Sequence, residues 1–148
     1  MNHPSIFTTS WVVLLLLATA LTVFSLFSAS LALRRSPDAL TGNYTVEQVE
    51  AANHEAADAI RARRLTASAW AFGCALFMAF IVLGPYRRGE RWAWWALLIA
   101  FGGAQVLSML RVPLMDVRPG ASTALILLAV LAAGLLAGAP RMFASDKS

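Results

Sequence analysis

The sequence predicts an all-α membrane protein: four transmembrane helices in an up-down bundle, with a short amphipathic extramembrane helix between helices 1 and 2. Three observations carry this. Hydrophobic residues are 59% of the chain and charged residues 14%, against roughly 45–50% and 25% in a soluble domain. Four blocks, Trp11–Leu33, Leu65–Gly84, Trp92–Leu110 and Ala121–Ala139, contain no charged side chain. A helix needs about 20 apolar residues to cross a hydrocarbon core of about 30 Å, and each block has that length. With 148 residues, the length fits one membrane domain spanning residues 1–148.

The first block begins at Trp11 and runs to Leu33. An apolar run near the N-terminus followed by Ser28-Ala29-Ser30 also has the form of a cleaved signal peptide. The absence of Lys and Arg from Met1–Ser10 and the continuation to Leu33 favour a retained helix.

The amphipathic helix is read over residues 45–64. Ser36-Pro37-Asp38 and Thr41-Gly42-Asn43 form turns before it, and Thr45 with Gln48 has the spacing of a capping box. Val49, Ala56 and Ile60 fall on one side at 100° per residue, and Glu47, Glu50, His54, Asp58 and Arg61 on the other. Asn43-Tyr44-Thr45 also matches a glycosylation acceptor, which matters only in a eukaryotic lumen.

The second block closes at Gly84-Pro85, and only Pro85–Arg91 separates it from the third, so these two helices form an antiparallel hairpin. Pro113 follows the third block, Arg118-Pro119-Gly120 turns into the fourth, and Ala139-Pro140-Arg141 ends it. Alternating topology then puts Trp11, Tyr86, Trp92, Trp94 and Trp95 at one membrane face, where such rings prefer the headgroup level. Arg87, Arg88 and Arg91 beside them can reach lipid phosphates while their stems stay apolar. These arginines, with Trp92, Trp94 and Trp95, are the interfacial anchor and the candidate headgroup contact. The positive-inside count is seven basic residues in loops 1 and 3 against five on the other face, a lean toward termini outside.

Inside lipid, small residues let helices approach closely. The seams are Gly134 and Gly138 in helix 4; Ala67, Ala71, Ala75 and Ala79 in helix 2; and Ala18, Thr22, Ser25, Ala29 and Ala32 in helix 1. Helix 3 offers Ala93, Ala96, Ala100 and Gly103, with Gln105 as its most polar buried side chain and a hydrogen-bonding partner for a neighbouring helix. Gly134 and Gly138 pack either within the bundle or against a second copy.

The net charge of +4 comes from 12 Lys and Arg in small groups, which does not make the continuous basic face a nucleic-acid protein needs. A single cysteine, Cys74, leaves no intramolecular disulfide and no thiolate cluster. Glu50, His54 and Asp58 at four-residue spacing are the candidates for a metal site. A solvated charged face is the more economical reading of the same pattern, and no cofactor is implied. The four blocks hold no ionisable carboxylate, base or arginine of the kind that marks ion-coupled transport.

The layout of a first helix, a loop with a Thr-Gly turn and short amphipathic helix, then a second helix ending in Pro85-Tyr86-Arg87-Arg88-Gly89-Glu90-Arg91-Trp92-Ala93-Trp94-Trp95, resembles small bacterial four-helix membrane proteins of the DoxX-like group. The resemblance implies a multi-pass protein of the bacterial inner membrane and supplies no catalytic residue. The expected role is a non-enzymatic structural or accessory subunit in contact with the bilayer, and with a protein partner or a second copy through the small-residue seams. The alternatives are a membrane enzyme acting on a lipid-like substrate and a small transporter.

Overall fold

A computed structural model describes residues 4–34, 45–115 and 121–143. The described residues are helical apart from Arg34, Thr45, Asn53, Gly89, Glu90, Leu110 and Phe143. Four helical stretches are long and apolar enough to cross a membrane: Ile6–Leu33, His54–Tyr86, Arg91–Leu114 and Ser122–Met142. The fold class expected from the uncharged blocks is therefore the fold class observed, as a multi-pass membrane protein requires. The turns at 36–38 and 41–43, the acceptor at Asn43, and Arg118-Pro119-Gly120 lie outside the described residues.

Helix α1 (Pro4–Leu33) starts before Trp11. Three of its hydroxyls are satisfied by its own backbone: Thr19 donates to the Leu15 carbonyl, Ser25 to Thr22 and Ser30 to Phe27. A polar side chain bonded to its own helix is compatible with lipid on every side.

The amphipathic segment is two pieces. Helix α2 (Val46–Ala52) opens with the expected capping box: the Gln48 N–H donates to Thr45 Oγ1 at 3.3 Å, and the Thr45 N–H donates to Gln48 Oε1 at 3.1 Å. It stops at Asn53, whose extended backbone interrupts the expected 45–64 helix. Asn53 ends one helix and starts another, because its N–H donates to the Val49 carbonyl and its Oδ1 accepts the Ala56 N–H at 3.1 Å. Helix α3 (His54–Ile81) then runs without interruption from the charged segment into the second apolar block.

Three prolines expected to end helices do not. Pro85 sits inside a π-helical segment, Val82–Tyr86, that continues α3. A proline removes one N–H, and the wider π register lets the remaining backbone groups re-pair. The chain reverses later, at Gly89, whose φ of 83° lies in the left-handed region that glycine tolerates. Pro113 lies within α6 (Arg111–Met115), early enough that its missing N–H costs the helix nothing. Pro140 lies within the last turn of α7 (Ala121–Met142). The third apolar stretch is built from α4 (Arg91–Leu97), a π segment (Leu98–Gly102) and α5 (Gly103–Met109), followed by α6.

The chain divides into two compact units, residues 1–19 with 77–148, and residues 20–76. In the first, the starts of α1 and α4 meet the end of the Val82–Tyr86 segment and the end of α7, the alternation an up-down arrangement produces. Its core includes Leu14, Met78, Val82, Tyr86, Leu97, Leu131 and Leu135. In the second, the end of α1 lies against the middle of α3 through Ser28, Arg64 and Ser68. Along α3 the buried positions are Ala57, Arg61, Ser68, Ala75 and Met78, whereas Ala67 and Ala71 are exposed. The α3 seam is thus offset from the expected alanine stripe and shares only Ala75 with its buried side.

Candidate functional site

The first unit gathers the aromatic and basic residues of the opening hairpin at one end. Arg87 lies over the Trp11 ring at 4.5 Å and Arg141 over Phe7 at 4.1 Å, contacts that hold a cation beside an aromatic face. Arg91 donates from Nε to the Met142 carbonyl at 2.9 Å, so it closes the end of α7. Arg88 is exposed. Trp92 and Trp95 are exposed, and the Trp92 indole donates to Glu90 at 2.6 Å. Trp94 turns inward, donating to the Leu135 carbonyl of α7 at 2.8 Å and meeting Phe143 edge to face. The six anchor residues therefore divide: Arg87, Arg91 and Trp94 tie helices together, while Arg88, Trp92 and Trp95 face outward.

Tyr86, expected at headgroup level, is fully buried. Its ring stacks on Phe7 at 5.9 Å, and its hydroxyl is 2.7 Å from Ser10 Oγ. Ser10 donates to the Gly134 carbonyl at 2.7 Å. Tyr86 Oη also lies 3.5 Å from the Gly134 carbonyl; with the Ser10 proton on that carbonyl, the Tyr86 O–H is shared between Ser10 Oγ and the carbonyl, and the two hydroxyls and Gly134 form one hydrogen-bonded cluster. Gly134 and Gly138 make this approach close. A methyl on Gly134 would come 2.8 Å from Leu14 Cδ2, and one on Gly138 would collide with Tyr86 Oη and lie 2.7 Å from Ser10 Oγ. The Gly134 and Gly138 face is thus occupied by α1 and Tyr86 of the same chain. Gln105 is half-buried; among the described residues its side-chain amide makes no hydrogen bond, and its backbone carbonyl accepts from Ser108.

Tyr86→Phe is expected to lower stability by about 0.6–1.7 kcal/mol, the span for a side-chain hydrogen bond between membrane helices. Unfolding in mixed micelles measures it. Combined with Ser10→Ala, the two losses are expected to be less than additive, because both variants cut the same cluster of bonds.

The second unit brings Glu50, His54 and Asp58 together across the α2–α3 break. His54 Nδ1 is 3.4 Å from Glu50 and Nε2 is 3.5 Å from Asp58. Arg61 stands between the carboxylates, with Nη2 on Glu50 and Nη1 on Asp58 at 3.2 Å. Its guanidinium fills the place a cation would take, and among the described residues no group of three or more His, Cys, Asp and Glu is arranged to hold a metal ion. Beside it, Arg64 Nε donates to Ser28 at 3.2 Å and Ser68 bonds Ser28 at 3.0 Å.

The groups that sequence reading passes over are Ser10, Phe7, Ser28 and Ser68. A serine or phenylalanine within an apolar block carries no positional signal in itself. One periodicity does: Phe7, Ser10, Leu14, Leu17 and Ala18 recur at three- and four-residue spacing, Ser25 and Ala32 follow at seven, and together they are the buried side of α1. No family model, curated protein or solved structure matches the chain.

Proposed function

We propose that the chain is a non-catalytic accessory subunit of a bacterial inner-membrane assembly, holding a partner protein through its outward faces. The bacterial location rests on the layout it shares with DoxX-like proteins. The observation that carries the subunit reading is how the polar side chains are used. Ser10, Tyr86, Trp94 and Arg91 bond to helices of their own unit, and Arg61 is closed on Glu50 and Asp58. On the apolar stretch of α3, Trp70 is 75% exposed, next to the small residues Ala67, Ala71 and Gly73. Lipid can cover such a surface, and a helix of a partner packs against it through the same small positions.

A second reading, an enzyme acting on a lipid-like substrate, is favoured by the convergence of Glu50, His54 and Asp58. Arg61 weighs against it, since both carboxylates are already hydrogen-bonded to a guanidinium.

Purification of the tagged chain from its own membranes in a mild detergent tests the proposal. A partner protein is expected at fixed stoichiometry, surviving native electrophoresis. A chain that migrates alone overturns the subunit reading, and turnover of added phospholipid that is lost in His54→Ala establishes the enzyme instead.

A further inference from the structure

We infer that the first unit carries a binding groove for one anionic phospholipid, with the lipid phosphate at Arg88 and an acyl chain along Phe77, Phe80 and Ile81. The inference rests on the membrane-spanning reading and is independent of any protein partner. A shallow, open surface groove of about 370 Å³ runs along the end of α3 and the π segment that follows. Its wall is Phe77, Phe80, Ile81 and Pro85, and its polar end is Arg88, Glu90 and Trp92. Phe77 and Phe80 are 70% and 71% exposed.

Charge decides the occupant. Four arginines stand at this end of the unit, and three are engaged: Arg87 on Trp11, Arg141 on Phe7 and Arg91 on the Met142 carbonyl. Among the described residues Arg88 has no hydrogen bond, ion pair or ring contact, and it is the one of the four that lines the groove. The acid in the groove, Glu90, accepts the Trp92 indole N–H instead, which fixes the tryptophan ring at the groove edge. A guanidinium with all five donors available suits a phosphate, which it binds in a two-point fork.

Length agrees with charge. Phe77 and Arg88 are eleven positions apart, at most about 16.5 Å at the α-helical 1.5 Å per residue and somewhat less over the π segment. Half of a hydrocarbon core is about 15 Å, the depth of one leaflet. The apolar wall therefore ends where acyl chains end, and the arginine begins where phosphates begin. A ligand apolar over one leaflet and negative at its head has the chemistry of a phosphatidylglycerol-type lipid. Indole rings at this level are compatible with the same position.

The test uses the full chain in nanodiscs of equal phosphatidylglycerol and phosphatidylcholine, with the lipid retained after detergent extraction measured by native mass spectrometry. Wild type is expected to retain phosphatidylglycerol in preference. Arg88→Gln is expected to reduce that retention about fivefold, the effect of one basic residue at an anionic surface. Arg141→Gln, which removes the same charge from the same end, is expected to leave it in place. Ile81→Trp, which fills the wall without altering charge, is expected to reduce it as well. Equal losses in Arg88→Gln and Arg141→Gln would show diffuse attraction and overturn the site, as would a wild type without preference or an Ile81→Trp variant with full retention. A chain recovered in the supernatant without detergent sinks the membrane reading itself.

Discussion

Gly138→Leu is expected to destabilise the first unit by about 1–3 kcal/mol or more, the range for overpacking a filled core. At this position even the first added carbon has nowhere to go. It collides with Tyr86 Oη and lies 2.7 Å from Ser10 Oγ and 3.0 Å from Tyr86 Cζ. Tyr86 cannot simply swing away, because its ring is fully buried and stacked on Phe7. Relief therefore requires α7 to separate from α1, which breaks the Ser10 bond to the Gly134 carbonyl as well. Chemical unfolding in mixed micelles measures the loss. The comparison is Gly103→Ala, where an added carbon meets nothing within 4 Å. That variant is expected to be neutral or more stable by up to about 1 kcal/mol, from helix propensity alone. Equal stability of Gly138→Leu and wild type would mean that this seam does not hold the unit together.

Arg61→Gln is expected to release α2 from α3. Arg61 is 9% exposed, and its two terminal nitrogens hold Glu50, on α2, and Asp58, on α3. Glutamine has one donor group in place of the fork, and the carboxylates are left facing each other. Val46, 4% exposed, still anchors the start of α2, so the helix is expected to open locally while α3 stays formed. Hydrogen exchange reads this directly: amides of 46–52 are expected to exchange about tenfold faster or more, and those of 65–81 unchanged, as for a locally unfolding segment. Arg61→Lys is expected to lie between, since a point charge attracts both acids but cannot bridge them in two-point geometry. Unchanged exchange in Arg61→Gln would assign the docking of α2 to Val46 alone.

Local solvation determined the four membrane-length helices. A run without charge must leave water whatever its neighbours do, so Trp11–Leu33, Leu65–Gly84, Trp92–Leu110 and Ala121–Ala139 each locate a span, the largest difference being the start of the second, at His54 rather than Leu65. The capping box at Thr45 and Gln48 was legible for the same reason: both partners lie three residues apart, and no distant contact is needed. The helix break at Asn53 was not. Asparagine is tolerated within a helix, and only the competing bonds to Val49 and Ala56 turn it into a cap.

The tertiary structure alone decided which small residues form seams and which charges are spoken for. Ala67 and Ala75 are the same residue in the same helix, one exposed and one buried, because burial depends on which side of α3 another helix approaches. The Glu50–Arg61 contact spans 11 positions, beyond the reach of the three- and four-residue rule, and depends on the chain bending at Asn53. Arg87, Arg88 and Arg91 are equivalent by composition. Trp11 and the Met142 carbonyl engage the first and last, and Arg88 is left at the groove. Transfer from water to lipid is a sum over neighbouring side chains and can be read along the chain, whereas pairing is a property of two surfaces and exists only once they meet.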